Sequence, residues 1–199
     1  SAAFTDMIRV DITEDHRRTQ RHWSTFKGNR HSIRKDGGNI LVGDLAEIVF
    51  ADLYPDAKRI SDVDYAADFV LGGERVDVKA KQRNGRCRPN YSCSVERRQK
   101  DFNCDWYAFF SFNARDSEIE FLGWRDKASF FADAELWEVG QTDFLNGWTP
   151  SADSASINAD ELWSDEEREW IIERAAIMEF DGGLLRGEAT RKAIRLHQM

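Results

Sequence analysis

Between Ala66 and Gln82 the chain reads Ala66-Ala67-Asp68-Phe69-Val70-Leu71-Gly72-Gly73-Glu74-Arg75-Val76-Asp77-Val78-Lys79-Ala80-Lys81-Gln82. Residues 66–71 are apolar apart from Asp68 and predict a strand. Gly72-Gly73 predicts a two-residue hairpin turn, because the favoured turns need positive φ and glycine adopts it without a side-chain clash. From Glu74 the period is two. Val76, Val78 and Ala80 fall on one face, and Arg75, Asp77, Lys79 and Lys81 on the other. Folding about the turn sets Leu71 against Glu74, Asp68 against Asp77 and Ala66 against Lys79, with Asp68 and Asp77 on the order of 5 Å apart at Cβ. Two carboxylates that close repel each other unless a proton or a cation lies between them. Lys79 supplies one positive charge. A hard divalent cation with oxygen ligands is the natural third party.

Working outward, Asn39 can cap a helix through Leu53, whose apolar positions Leu41, Leu45, Ile48, Val49 and Leu53 follow helical spacing. Tyr54-Pro55-Asp56 stops it. Beyond the hairpin, residues 84–90 predict a loop and residues 94–103 a polar helix capped by Ser94. Residues 106–112 predict an aromatic strand buried on both faces. Another strand is expected at residues 118–122, followed by Gly123-Trp124, and a helix at residues 126–135. Residues 140–158 are rich in Ser, Gly and Asn and predict a loop. An acidic amphipathic helix over residues 159–180 and a short basic helix over residues 184–197 close the chain. This order predicts an α/β domain with a central mixed β-sheet flanked by helices and with C-terminal helical additions. We divide it into a basic N-terminal helix or arm (1–38), a core (39–139), and a C-terminal loop and helical extension packed on that core (140–199).

The chain has 199 residues, 41% of them apolar and 32% charged, which suits a globular domain. It contains no run of 18 apolar residues and no apolar stretch of signal-peptide type near residue 1, so the expected setting is cytoplasmic, without a membrane partner. Cys87, Cys93 and Cys104 then read as free thiols. A zinc site is the sharper alternative, but there is no CxxC pair and no His between residues 32 and 196.

The net charge of −8 is unevenly spread: residues 1–115 carry +3, residues 116–181 carry −14 and residues 182–199 carry +3. Residues 16–35 hold Arg17, Arg18, Arg21, Lys27, Arg30, Arg34 and Lys35 with no acid. Residues 75–100 hold nine Lys/Arg against Asp77 and Glu96. Two basic runs flanking a carboxylate pair predict phosphate binding on an otherwise acidic protein. The contacts expected for nucleic acid are Arg17, Arg18, Arg21, Lys27, Arg30, Lys81, Gln82, Arg83, Arg86 and Arg88, with a solvated face as the plain alternative. His16, His22 and His31 read as surface or phosphate contacts. Tyr91, Trp106 and Trp124 could stack on bases, with core packing the simpler role for Trp106.

The ordered set of a helix Glu, a strand Asp, a Gly-Gly turn, a strand Asp-x-Lys, a polar helix and an aromatic strand resembles the PD-(D/E)xK nuclease superfamily, which shares the restriction-endonuclease-like fold. The motif reads Ala67-Asp68, eight residues, then Asp77-Val78-Lys79. Ala67 stands where the family usually has Pro. Glu47, in Gly43-Asp44-Leu45-Ala46-Glu47, matches the family's helix acid, and Asp44 competes with it for that role. The resemblance covers about residues 39–123. Phe121-Leu122-Gly123-Trp124 and the helix after it look more loosely like phage and microbial nucleases of this type.

The resemblance implies a divalent-metal-dependent nuclease acting on DNA, an endonuclease of DNA processing, restriction or repair. Glu47, Asp68, Asp77 and Lys79 would be its catalytic set. Mg2+, with Mn2+ able to substitute, would be held by Asp68, Asp77, the Val78 carbonyl and Glu47. The alternative is a nucleic-acid-binding module of a larger assembly that kept the fold and lost turnover. A third reading, an unrelated hydrolase using two Asp as acid and base, gives the basic runs no task. Opposite charge on the two closing helices would let them pair within one protomer or between two copies in a homodimer.

Overall fold

A computed structural model describes residues 9–10, 12–27, 38–60 and 66–197. The alternating stretch after the Gly-Gly turn is strand β4 (Glu74–Arg83), and it lies inside a six-stranded sheet. Gly72 and Gly73 have φ of 61° and 94°, so the turn is the tight hairpin that glycine favours. It joins β4 antiparallel to β3 (Phe69–Leu71), with Leu71 opposite Glu74 as expected. The other flank of β4 pairs in parallel with β6 (Trp106–Asn113), placing Asp77 beside Tyr107 and Lys79 beside Phe109. With β1 (Arg9–Val10), β2 (Lys58–Arg59) and β7 (Glu118–Asp126), the strand order is β1-β7-β6-β4-β3-β2. All neighbours except β4 and β6 are antiparallel. The fold is thus mixed α/β, with a mixed sheet and flanking helices.

The two faces of β4 have different fates. Val76 and Val78 are buried in the main core with helix α2 (Gly38–Leu53), which packs on β4. Val42, Leu45, Ala46, Ile48, Val49, Phe50 and Leu53 of α2 are all buried, so it is apolar around most of its circumference. Phe50 packs in a tilted pair with Phe69, ring centroids 5.0 Å apart, and Tyr54 stacks 5.4 Å from Trp124. Helix α1 (Glu14–Lys27) packs outside α2. Helix α3 (Lys127–Asp133) is capped by Asp126, whose carboxylate accepts from the Ser129 amide, and its Phe130 stacks against Phe109.

Three expectations need correction. The polar helix over residues 94–103 is absent. Strand β5 (Ser92–Glu96) and a 3-10 turn (Arg97–Asp101) stand there instead. Cys93 and Val95, two apart, are buried, and this period of two was masked by the serines between them. The loop over residues 140–158 ends in strand β9 (Ser154–Asn158), in which Ala155 and Ile157 are buried. With β8 (Glu135–Trp137) it completes a second antiparallel sheet of order β5-β9-β8. The acidic helix over residues 159–180 is a 3-10 turn (Ala159–Glu161) followed by α4 (Asp165–Phe180). A capping box from Ser164 and Glu167 restarts the chain there. Helix α5 (Arg186–His197) packs on α4 within the same chain.

Gly123 locks the sheet to the segment before α4. Its φ is 129°, and a Cβ built there would fall 2.0 Å from Nε1 of the buried Trp163, whose indole donates to the Leu122 carbonyl. Gly123→Ala is therefore expected to lower stability by about 3 kcal/mol or more, from backbone strain plus overpacking. Adding Trp163→Phe should recover part of that loss. Chemical denaturation midpoints measure both, and a Gly123→Ala protein of unchanged stability would refute this packing.

Candidate active site

Strand β3 is shorter than its sequence suggests, and the shortening builds the site. Its register with β4 ends at Phe69 opposite Val76. The Asp68 amide also donates to the Val76 carbonyl, at 2.9 Å, so two consecutive residues face Val76 in the manner of a β-bulge. The next amide of β4 on this edge, that of Val78, would lack a partner. The Asp68 carboxylate takes it: Val78 N–H donates to Oδ2 at 2.8 Å. A charge-assisted bond of this kind satisfies the acid inside an apolar segment. Asp68 is therefore not a plain cross-strand neighbour of Asp77. Its side chain stands in for the carbonyl that a continued β3 would have offered.

Asp77 is 6% exposed, and its Oδ2 lies 2.6 Å from Lys79 Nζ. The spacing of two along β4 put both side chains on one face. Burial pushes the Asp77 carboxyl up to about 7. That value is the net result: Lys79 pulls against the burial, and the nearby Asp68 adds to it. Burial disfavours the Lys79 ammonium, but Asp77 outweighs it and the pKa lies above the usual lysine value. Asp68, Asp77 and Lys79 thus form one interacting group. Residues of a strand alternate the side to which their N–H and C=O point, so the Val78 carbonyl faces the same vacated edge as its amide. Two carboxylates and a carbonyl make an all-oxygen donor set of the kind a hard divalent cation accepts.

Glu47 stands apart. It is half-buried on α2, and its Oε2 lies 3.4 Å from Arg59 of β2. Asp44, its competitor, is buried on the same helix at 3% exposure. Among the described residues no three His, Cys, Asp or Glu side chains gather as a metal group. The zinc alternative finds no such cluster either. All three cysteines are buried and free, and burial pushes Cys93 up to about 11 and Cys104 up to about 12.

The basic residues divide into three groups. Arg18 pairs with Asp15 at 3.0 Å and Arg21 with Glu14 at 2.8 Å, while Arg17 donates to Ser117. The acids just upstream of the run thus answer part of its charge, through exposed pairs that are individually weak. Lys27 closes α1, and Arg30 lies outside the described residues. Gln82, Arg86 and Arg88 are exposed; Arg86 lies 3.9 Å from Glu118 and Arg88 lies over the Tyr91 ring. Lys81 and Arg83 are different. They turn under β5, where both donate to the Ser92 carbonyl, at 3.2 and 2.9 Å. Ser92 and Trp148, over whose ring Lys81 sits, carried no sequence signal, because only the second sheet brings them here.

Two cavities border β4. The larger, about 880 Å³, opens on the α2 side between Tyr54, Trp106 and Trp124, and Asp56, Glu74, Asp126 and Glu167 make its rim acidic and unsuited to phosphate. Trp106 donates to Glu74 at 2.6 Å. The smaller, about 220 Å³, is lined by Lys79, Lys81, Arg83, Ser92 and Ser94. No protein-family model and no curated protein matches the chain. Among the described residues no helix is long and apolar enough to cross a membrane.

The shifted Asp77 fixes a pH test. Its folded pKa, about 7, lies above the value near 3.8 of an unburied Asp. The folded state therefore favours the proton, and the contribution of this group to stability is full below pH 4 and lost as pH rises through 7. In EDTA, the melting temperature of Asp77→Asn minus that of the parent should rise across pH 4–8. A difference that stays constant or falls would show that Asp77 is ionised throughout.

Proposed function

We propose that the chain is a divalent-metal-dependent nuclease that hydrolyses DNA phosphodiester bonds, an endonuclease on a restriction-endonuclease-like core. The observation that carries this reading is the Asp68–Asp77–Lys79 group. An acid placed where a strand stops and an Asp-x-Lys pair on the next strand meet beside an outward-facing carbonyl. The strand, turn and Asp-x-Lys order on which the resemblance rests is the order of elements in the fold.

Mg2+ or Mn2+ bound by Asp68, Asp77 and the Val78 carbonyl would supply charge neutralisation at the phosphate and a water of lowered pKa. The chain's own groups do the rest. Asp68, fixed by the Val78 amide, presents its remaining oxygen without rotating. Asp77 anchors Lys79, so the ammonium stands beside the carboxylates. There it can orient the attacking water and stabilise the charge that builds on the phosphorus oxygens. Glu47, which the resemblance assigns to a second ion or a bound water, here faces Arg59. In this reading it exchanges that partner when substrate arrives. Arg17, Arg18 and Arg21 supply exposed charge for the DNA backbone, where a phosphate can displace the weak pairs with Glu14 and Asp15.

The second reading, a binding module without turnover, has an observation of its own. The acids of the site are answered by the chain's own cations, Asp77 by Lys79 and Glu47 by Arg59. Cleavage separates the two readings. Purified protein incubated with circular and linear, single- and double-stranded DNA should cut in Mg2+ or Mn2+ and not in EDTA. Lys79→Ala should keep the fold and much of the DNA affinity and lose roughly a hundredfold or more in cleavage, the scale of one transition-state stabiliser. Metal-independent cutting, or full cutting by Lys79→Ala, would place the chemistry elsewhere. Metal-insensitive binding without cutting would favour the module.

A further inference from the structure

Lys81 and Arg83 lie two residues apart on the lysine face of β4, and both are roofed by β5. Lys81 Nζ donates to the Ser92 carbonyl at 3.2 Å and lies 3.3 Å from the Ser92 hydroxyl, and Arg83 Nη2 donates to the same carbonyl at 2.9 Å. Two cations thus converge on one neutral oxygen. Among the described residues no carboxylate is ion-paired with either: Trp148 lies 4.2 Å from the ammonium and Tyr91 4.4 Å from the guanidinium, and the Asp143 carboxylate acts on Lys81 only as the weakest of its charge neighbours. Arg83 Nε is buried with no hydrogen-bond partner. Like charges held together out of water repel each other strongly unless an anion or a proton loss relieves them. Lys81 records the stress: burial first, then Arg83, depresses its pKa to about 8.

The space beside them is suited to what is missing. The 220 Å³ cavity is lined by Lys79, Lys81, Arg83, Ser92 and Ser94, with apolar residues that include Phe109 and Leu122 completing it. This volume admits a tetrahedral oxyanion, and the roof of β5 keeps a duplex groove away from these side chains. Its donors are two ammonium groups, a guanidinium and two serines, the inventory of a phosphate site. Lys79 belongs to both this cavity and the carboxylate group, so the two sites adjoin.

We propose that Lys81, Arg83, Ser92 and Ser94 form a half-open binding site for a phosphate group, next to the Asp68–Asp77–Lys79 group. As a site for the phosphate adjoining the one cleaved, it rests on the nuclease reading; as an anion site, it stands on these contacts alone. The group could belong to a nucleic-acid strand or to free phosphate.

Calorimetric titration in EDTA with inorganic phosphate and, separately, with a dinucleoside monophosphate containing one internal diester tests it without any cleavage. The parent should bind at least one of them. Lys81→Met and Arg83→Met should each weaken binding tenfold or more, Lys81→Arg should restore most of it, and Arg98→Met, outside the cavity, should change nothing. Preference for the diester assigns the site to a strand's backbone, and preference for inorganic phosphate assigns it to a free or terminal phosphate; both support the site. Without phosphate, Lys81→Met should melt no lower than the parent, because it removes one of two repelling charges. No binding of either compound, or equal binding by parent and both Met variants, overturns the proposal. Phosphate binding without DNA cleavage would remove the nuclease reading and leave this site standing. Cleavage without phosphate binding would do the reverse.

Discussion

The hydrogen bond from the Val78 amide to the Asp68 carboxylate is the contact on which the site depends. A strand that stops early leaves its neighbour's backbone exposed, and a buried amide without a partner costs about as much as a lost hydrogen bond. Here the strand ends at Phe69, and a side chain fills the gap at 2.8 Å. That one substitution of carboxylate for carbonyl fixes Asp68, frees the vacated edge of β4, and brings a second negative charge toward Asp77. Replacing it by a longer β3 would satisfy the amide equally well and close the edge. The bulge at Asp68 and Phe69 is therefore the feature that separates a plain hairpin from a site.

The same face of β4 then has to hold alternating charged side chains partly out of water. Arg75, at the exposed end, donates to the Asn103 carbonyl, and its amide donates to the Asp105 carboxylate. Asp77 and Lys79 answer each other at 2.6 Å. Lys81 and Arg83 have no ion-paired acid among the described residues and converge on Ser92. One strand thus passes from a half-buried cation bonded to a carbonyl, through an ion pair, to two cations held on one carbonyl. The second sheet makes this gradient, because β5 covers only the far half of the strand. The main core on the other side, built on Phe50, Phe69, Phe110 and Phe121, holds β4 rigid beneath the charges.

Much of this was legible in the sequence. The Gly-Gly turn, the two faces of β4, the helix before it and the aromatic strand beside it all follow from local spacing and turn chemistry. Asp68 was legible as an anomaly, an acid in an apolar run, but not as a backbone partner, since that depends on where β3 stops. Strand β5 was missed because Ser94 reads as the cap of a polar helix, and β9 because Ser-Ala-Ser-Ile reads as loop composition, although Ser154, Ala155, Ser156 and Ile157 are all buried. With them went the roof over Lys81 and Arg83, which sequence spacing presents as open strand residues. The pairs of Arg18 with Asp15 and Arg21 with Glu14 sit at helical spacings of three and seven, inside the N-terminal helix or arm expected over residues 1–38. Glu47 remains the position where spacing and geometry part: its place on α2 follows the motif, and its neighbour is Arg59.

The central claim is that Asp68, Asp77 and the Val78 carbonyl form one oxygen site at the edge where β3 stops. Anomalous diffraction from crystals soaked in Mn2+ addresses it most directly, because it locates the ion without reference to activity. An anomalous peak is expected between the two carboxylates and beside the Val78 carbonyl, weakened or lost in Asp68→Asn. Carboxylates that point to opposite faces of the sheet, or Mn2+ bound elsewhere with this edge empty, would contradict it.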